Sequence, residues 1–182
     1  QPLKDSATGV TLSYNGEIYN YKSLKGELQK KGHVFRTVSD TEVLLRSYLE
    51  WGELAFTKIN GCFAFAIIDP RIDQLILVRD RLGVKPLYYS YQNNQLVFAS
   101  TVAALLKVIG KQDLEPTAIS HYFTTCRITF GEKTLLKNVA NALPGTQMYF
   151  SLSSGELKKS RYWQRPVVAA EDKESCTSEE LL

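Results

Sequence analysis

Cysteine is scarce in this sequence, and the residues of this type lie far apart. Cys62, Cys126 and Cys176 form neither a metal-binding spacing nor the disulfide framework that small secreted domains generally need. The histidines, His33 and His121, do not add the partners that a metal site requires, so we expect no bound metal. Cys62 lies in an apolar, strand-like run and is expected to be a buried, unreactive thiol. These features favour a cytoplasmic protein.

The sequence also lacks long apolar runs and any concentration of one charge. No apolar stretch approaches the roughly 20 residues that a membrane-spanning helix needs, and the first residues show no signal-peptide pattern. The net charge is only +3, with basic residues spread along the chain, whereas nucleic-acid binders usually carry a basic stripe with interleaved aromatics. We therefore expect neither a membrane nor a nucleic acid as a partner.

Helix and strand patterns occur in separate runs along the 182 residues, which predicts an α+β fold and not a doubly wound one. The strands of the middle part follow one another with short turns, as in an antiparallel meander. Predicted strands cover residues 10–14, 34–37, 63–68, 75–78, 87–91 and 96–99. Predicted helices cover residues 20–31, 40–51, 101–108 and 116–123, and a hairpin is predicted over 146–152 and 156–163.

A domain boundary is predicted near residues 110–115, which gives a first domain over residues 1–112 and a second over 113–182. Near the start of the second part lies Pro116, a residue that suits the first turn of a helix. The tail, residues 169–178, is polar and charged, and residues 179–182 resemble the beginning of a helix.

The first candidate for chemistry is Asn15-Gly16-Glu17, which follows a predicted strand. Asn-Gly is the strongest short signal for a turn, and on local pattern alone the turn is the favoured interpretation. The same dipeptide can also place a side-chain amide beside a backbone N–H. An oxyanion hole needs such a pair of donors, about 2.7–3.1 Å from a developing negative charge. Both interpretations stay open at this point.

The second candidate is Ser39-Asp40-Thr41-Glu42, which has the pattern of a capping box. The Ser39 hydroxyl would accept from the N–H of Glu42, and the Glu42 side chain would accept from the N–H of Ser39. Asp40 could simply favour the positive end of the helix, which is the favoured interpretation locally. Alternatively, its carboxylate could hold the ammonium group of a ligand.

Seven short segments carry most of the distinctive residues of the chain. They are residues 13–20 (Ser-Tyr-Asn-Gly-Glu-Ile-Tyr-Asn), 39–42, 60–67, 79–89 (Arg-Asp-Arg-Leu-Gly-Val-Lys-Pro-Leu-Tyr-Tyr), 98–100, 143–145 and 162–163. In this order they resemble the glutamine-dependent asparagine synthetase family, and the resemblance covers nearly the whole chain. Related class II amidotransferases that make phosphoribosylamine or glucosamine phosphate usually follow Asn-Gly with something other than Glu-Ile-Tyr-Asn.

The resemblance implies a fold and an activity. The fold would be a four-layer α/β/β/α sandwich of antiparallel sheets, the N-terminal nucleophile hydrolase type, here incomplete. In this family an N-terminal cysteine attacks the side-chain amide of glutamine and uses its own α-amine as the base. The ammonia then travels inside the protein to an aspartate that ATP has activated as an adenylate. Residues 1–112 would be the amidotransferase domain, and residues 113–182 would begin the synthetase domain.

The resemblance also implies site residues and partners. Asn15 and Gly16 would form the oxyanion hole, and Asn15, Gly16, Glu17 and Asp40 would hold glutamine, with Asp40 facing its ammonium group. Residues 79–87 would be scaffold and not catalytic. The expected small-molecule partners are glutamine, aspartate and ATP, with ATP and Mg²⁺ bound in a synthetase domain outside this chain. Because family members are often dimers, a homodimer is expected.

The sequence departs from the family pattern at both ends. It contains neither the opening Met-Cys-Gly, nor the arginine-bearing strand that binds the glutamine carboxylate, nor the Ser-Gly-Gly-Leu-Asp-Ser pyrophosphate loop. A fragment of an ordinary enzyme is the favoured explanation, and a non-catalytic binding module of the same fold is the alternative. Relatives with this layout also amidate other carboxylates. We expect the 182-residue chain alone to release no glutamate from glutamine.

Overall fold

The computed structural model describes residues 2–166 as two antiparallel sheets with helices on their outer faces. Within that range the helices are α1 (Tyr21–Lys30), α2 (Asp40–Trp51), α3 (Leu54–Lys58), α4 (Val102–Ile109) and α5 (Pro116–Thr125). The strands are β1 (Leu3–Lys4), β2 (Thr11–Ile18), β3 (Gly61–Asp69), β4 (Gln74–Arg79), β5 (Tyr88–Gln92), β6 (Gln95–Ala99), β7 (Thr129–Phe130), β8 (Lys133–Thr134), β9 (Ala140–Asn141), β10 (Thr146–Ser151) and β11 (Leu157–Arg161). No helix in this part of the chain is long and apolar enough to cross a membrane.

The strands divide between the sheets in an order that differs from a single meander. The first sheet has the order β1-β2-β3-β4-β10-β11, and the second has the order β6-β5-β9-β8-β7. The predicted meander over residues 63–99 is therefore wrong, because it forms two hairpins, β3–β4 and β5–β6, in different sheets. The Asp80 carboxylate accepts the N–H groups of Leu82 and Lys85, at 3.0 and 2.9 Å, and so bends the chain out of the first sheet after β4.

The first sheet buries one face against helices α1, α2 and α3. Side chains alternate across a strand, so every second residue of β2 and β3 points to this helix layer. Burial of each large apolar side chain contributes about 1.5–3 kcal/mol. The sheet contributes Leu12, Phe63, Phe65, Ile67, Ile76 and Val78 to this core, and the helices contribute Leu24, Leu28, Val43, Leu44 and Phe56.

The opposite face of the first sheet packs on the second sheet. This inter-sheet core contains Ala64, Ala66, Leu75, Leu77 and Met148 from the first sheet, with Leu87, Tyr89 and Ala142 facing them. On the far side of the second sheet, α4 packs on β5 and β6 and buries Leu105 completely. The succession of helix, sheet, sheet and helix confirms the predicted α+β sandwich.

Local sequence signals predicted most of the helices correctly. Gly52 ends α2 and Gly110 ends α4, as their positions after the last periodic residues indicated. Pro116 is the first residue of α5. The predicted C-terminal hairpin is β10–β11, with residues 153–155 in its turn.

The strand predicted over residues 34–37 is wrong, because this segment pairs with no other strand. The N–H groups of Arg36 and Thr37 are donated to the carboxylate of Glu42, at 2.7–3.1 Å. A side chain of the following helix thus takes the place of a neighbouring strand. β-propensity alone did not indicate this alternative partner.

The predicted domain boundary between residues 112 and 113 stays a prediction. Strands from both sides of it belong to the same two sheets, because β9 pairs with β5 and β10 pairs with β4. The polar tail (169–178), the predicted helix start (179–182) and Cys176 lie outside the described residues.

Candidate functional site

The candidate site lies along β2, where Asn15, Gly16 and Glu17 are strand residues and not a turn. Asn15 is paired with Ala64 and Gly16 with Phe63 across the antiparallel β2–β3 ladder. The turn predicted from Asn15-Gly16 is therefore wrong.

A close approach of two strands explains the glycine at this position. A Cβ on Gly16 would collide with the carbonyl oxygen of Cys62, and a Cβ on Gly61 would collide with the carbonyl oxygen of Glu17. Each strand thus carries a glycine where the other backbone comes too close for a side chain. Asn-Gly here reflects packing against β3 and not a reversal of the chain.

The backbone of β2 presents hydrogen-bonding groups at the edge that faces away from β3. Ile18 donates its N–H at this edge, to Asp40 Oδ2 at 3.1 Å. In an antiparallel ladder, alternate residues direct their N–H and C=O groups to the same side. The N–H of Gly16 therefore points to the same edge as that of Ile18, toward the side on which Asp40 lies.

Asp40 is the first residue of α2 and lies beside this edge, half-buried. Its Oδ2 accepts two hydrogen bonds, from the Tyr14 hydroxyl at 2.8 Å and from the N–H of Ile18. Its Oδ1 has, within residues 2–166, only the hydroxyl of Ser39 at 3.5 Å, which is a marginal distance for a hydrogen bond. One oxygen is thus fixed by the protein, and the other remains available to a donor from outside.

The capping box predicted for Ser39 and Glu42 is wrong in its partners. The Ser39 hydroxyl accepts from the N–H of Thr41, at 3.2 Å, and the Glu42 carboxylate reaches the preceding loop. Burial acts to raise the pKa of Glu42, but the donors of Arg36 and Thr37 outweigh it and hold the pKa below its ordinary value. Glu42 therefore anchors the loop before α2, next to Asp40.

Gly16, Glu17 and Asp40 line one recess of about 370 Å³, together with Ile18, Tyr21, Val38 and Ser39. Val38 is 83 % exposed and forms part of the rim. The recess combines a carboxylate, backbone groups of a strand edge and a small apolar surface. A small polar ligand that carries a positive group suits this combination.

Asn15 lies on the opposite face of β2 and lines a neighbouring recess of about 350 Å³ between the two sheets. Its Nδ2 donates to the hydroxyl of Ser100 at 3.4 Å, which is a long hydrogen bond. The structure thus brings three of the four predicted residues into one recess and places the side chain of Asn15 beside it. Ser100, the residue after β6, received no role in the prediction.

Tyr14 is a further site residue that sequence reasoning passed over. It is only 6 % exposed, and burial, followed by the hydrogen bond to Asp40, raises its pKa. Its position in the alternation of β2 predicts an inward side chain, and a buried tyrosine hydroxyl generally has a polar partner. The sequence could therefore have indicated that Tyr14 has a partner, but not that the partner is Asp40.

Cys62, His33 and His121 do not line the recess that contains Asp40. Cys62, predicted to be buried, is half-exposed, because it is the second residue of β3 and the buried part of that strand begins at Phe63. The hydroxyl of Tyr19 donates to its Sγ at 3.1 Å. His33 Nε2 lies 2.8 Å from Glu50, and the ring of His121 stacks on Phe130.

The segment predicted to be scaffold, residues 79–87, is held by buried polar contacts. Arg79 donates to the carbonyl oxygens of Gly83, Lys85 and Ala142 and to the side chain of Asn141. These contacts tie the segment to the start of the next strands. Within the described part of the chain, no group of three or more His, Cys, Asp or Glu side chains could hold a metal ion.

The arrangement of two face-to-face antiparallel sheets between helices is also found in solved amidotransferases. The glutamine phosphoribosylpyrophosphate amidotransferase from B. subtilis, solved with ADP and GMP, superposes with a TM-score of 0.64. At 22 % sequence identity, the match covers 91 % of this chain and 32 % of that one, and it shows a shared fold.

Sequence comparison gives the family. The profile of the glutamine amidotransferase domain matches residues 1–163. Asparagine synthetase [glutamine-hydrolyzing] 3 of Bacillus subtilis (strain 168) is 38 % identical over 166 residues, which is 90 % of this chain and 27 % of that protein. Asparagine synthetase [glutamine-hydrolyzing] 1 of the same organism is 36 % identical over 95 % of this chain and 28 % of its own length. The chain belongs to the glutamine amidotransferase domain family, and it spans a little over a quarter of these two relatives.

Proposed function

We propose that this chain binds glutamine in the recess formed by Gly16, Glu17 and Asp40, and that the complete gene product hydrolyses it. The ammonia would convert an ATP-activated aspartate into asparagine. The observation that carries the proposal is the Asp40 carboxylate, which has one oxygen fixed by the protein and the other available beside a strand edge. The family and the names of the similar proteins support the choice of glutamine.

Asp40 is suited to the α-ammonium group of an amino acid. A half-buried carboxylate that accepts a charged donor forms a stronger hydrogen bond than a neutral acceptor does. Its Oδ2 remains engaged by Tyr14 and Ile18, so the carboxylate does not have to reorganise when the ligand binds. The amino-acid end of glutamine would lie against Asp40 and Glu17.

The opposite end of glutamine would then lie near Gly16 and Asn15. The N–H of Gly16 points to the strand edge, and the Asn15 amide makes only a long hydrogen bond to Ser100. This amide therefore loses little when it turns toward a ligand. Together the two donors would stabilise the negative oxygen that forms when the amide of glutamine is attacked.

The formation of asparagine concerns the complete gene product, because the chain spans 27–28 % of the two B. subtilis relatives. We propose aspartate as the acceptor and ATP with Mg²⁺ as the activating substrate. The measurement is the amount of asparagine formed from glutamine, aspartate and ATP. Amidation of another carboxylate, with none of aspartate, would contradict this part of the proposal and leave the glutamine site standing.

The test of the glutamine site is Asp40→Asn in the complete gene product. Glutamate release is measured with L-glutamine and with glutaramate, which is glutamine without its α-amino group. The asparagine side chain keeps an oxygen for Tyr14 and Ile18 but loses the charge. We expect the KM for glutamine to rise about 30-fold, or about 2 kcal/mol, and the KM for glutaramate to change little.

The matched control is Asp113→Asn. Asp113 is 87 % exposed and pairs with Lys137 at 4.0 Å, so its substitution should leave the KM for both substrates unchanged. Equal effects of Asp40→Asn on the two substrates would contradict the ammonium contact. Absence of glutamate release by the unmodified gene product would contradict the proposed activity itself.

A further inference from the structure

The structure points to a further residue for the proposed glutamine site. We infer that Tyr14 is a positioning residue, which orients the Asp40 carboxylate so that Oδ1 faces the α-ammonium group of the substrate. The inference rests on the proposed function, because it assigns Tyr14 a task only if Asp40 holds that ammonium group.

The geometry of the hydrogen bonds fixes the orientation of the carboxylate. The hydroxyl of Tyr14 and the N–H of Ile18 both donate to the same oxygen, Oδ2, from 2.8 and 3.1 Å. Two donors on one oxygen, with the carboxylate at the start of a helix, restrict rotation about its side-chain torsions. Oδ1, which has only the marginal contact with Ser39, is then the oxygen available to a ligand in the recess that Asp40 lines.

The ring of Tyr14 is itself held in place by packing. It belongs to the buried cluster between the first sheet and the helices, and only 6 % of the residue is exposed. A hydroxyl on a packed ring is a donor at a defined position, in contrast to one on a mobile side chain. Since burial and the neighbouring carboxylate raise its pKa, the phenol stays protonated and remains a donor at neutral pH.

Tyr14 acts through Asp40 and not on the substrate directly. It is absent from the residues that line the recess, whereas Asp40, Gly16 and Glu17 line it. Ile18 contributes the second donor from its backbone, which any residue at that position would provide. The side-chain identity at position 14 therefore determines how firmly Asp40 is held.

The experiment is Tyr14→Phe in the complete gene product, with L-glutamine and glutaramate as the substrates. This substitution removes one oxygen, adds no atom and keeps the packed ring. We expect the KM for glutamine to rise about tenfold, or about 1.4 kcal/mol, because a less firmly held carboxylate loses part of its hydrogen bond to the ammonium group. The kcat should stay within about twofold, and both constants for glutaramate should stay unchanged.

Tyr48→Phe is the matched control. Tyr48 is also buried in the same cluster, and its hydroxyl donates to an aspartate, Asp69, at 2.9 Å, away from the recess. A loss that depends only on a missing buried hydroxyl would appear in this variant too. We expect Tyr48→Phe to lower the free energy of unfolding and to leave the ratio of the KM values for glutamine and glutaramate unchanged.

A double-mutant cycle with Asp40→Asn gives a second readout. If Tyr14 acts through the charge of Asp40, Tyr14→Phe should have no further effect on the KM for glutamine once Asp40 is neutral. Additive losses, equal losses for glutamine and glutaramate, or an unchanged KM in Tyr14→Phe would each overturn the inference. If Asp40→Asn changes the KM for glutamine and for glutaramate equally, the proposed glutamine site is wrong. If Asp40→Asn affects glutamine alone but Tyr14→Phe does not, only the role of Tyr14 is wrong.

Discussion

The loop that leads into the candidate site depends on one buried carboxylate, and Glu42→Gln tests this dependence. Glu42 is 5 % exposed and accepts the N–H of Arg36 at 3.0 and 3.1 Å and the N–H and hydroxyl of Thr37 at 2.7 Å each. In glutamine, one oxygen becomes an NH₂ group, which cannot accept and which faces one of these donors.

The expected loss follows from the number of donors. A hydrogen bond to a charged group contributes about 1.5–3 kcal/mol, and a buried donor without an acceptor costs about 1–3 kcal/mol. Because one oxygen remains to accept from Thr37, we expect a net loss of about 2–3 kcal/mol. For a chain of this size, that corresponds to a fall in Tm of about 5–10 °C.

The loss of stability caused by Glu42→Gln should also depend on pH, and the direction follows from the pKa shift of Glu42. The pKa of Glu42 is held below its ordinary value of 4.5 in the folded state. The stabilisation is therefore fully present above about pH 4.5, the pKa of the unfolded state, and is lost as the pH falls through the lower folded pKa. Glutamine does not titrate, so the difference between the two proteins should shrink below that pH.

The assay is thermal unfolding followed by calorimetry at pH 7 and in steps down to about pH 3. The control is Glu27→Gln, since Glu27 is half-exposed and lies 3.6 Å from Lys58, so it should change the Tm very little. A Tm for Glu42→Gln within about 1 °C of the unmodified protein at pH 7 would refute the reasoning. A difference that persists unchanged at pH 3 would refute the assignment of the effect to the charge.

Two further substitutions test the scaffold of the site. Gly16→Ala should destabilise the protein by about 1–3 kcal/mol, because its Cβ meets the carbonyl of Cys62, and a melting temperature equal to that of the unmodified protein would contradict the close approach. Asp80→Asn should cost about 2–4 kcal/mol, because its carboxylate, 1 % exposed, accepts several N–H groups, among them those of Phe63 and Lys85. Calorimetry measures this loss too, and a fall in Tm below about 2 °C would argue against a central role of that carboxylate.

Local sequence patterns predicted helices and strands correctly where the residues that determine them are neighbours in the chain. The glycines after α2 and α4 and the proline at the start of α5 predicted helix ends that the structure confirms. The continuous apolar runs of residues 63–68 and 75–78 predicted β3 and β4, because side chains on both faces of these strands enter a core.

The predictions from sequence were wrong where the local structure depends on contacts with another segment of the chain. Asn15-Gly16 has the composition of a turn, but the glycine is required by the backbone of β3, some 46 residues further along the chain. Ser39 and Glu42 have the spacing of a capping box, but the Glu42 carboxylate satisfies the loop before the helix. Local pattern contains neither of these partners, since each depends on how the segments pack.

The residues of the candidate site were also predicted only in part. The resemblance in ordered motifs selected Asn15, Gly16, Glu17 and Asp40, and three of these residues do line one recess. It did not select Tyr14, because the contact between Tyr14 and Asp40 joins residues 26 positions apart and depends on where α2 meets β2.

The most direct measurement of the central claim is a crystal structure of the complete gene product with bound L-glutamate, the product of glutamine hydrolysis. We expect the α-ammonium nitrogen within about 2.7–2.9 Å of Asp40 Oδ1, the usual distance for a charge-assisted hydrogen bond, with Tyr14 still bonded to Oδ2. The γ-carboxylate should approach the N–H of Gly16 and the amide of Asn15. Glutamate bound elsewhere, or in this recess with its ammonium group directed away from Asp40, would contradict the account.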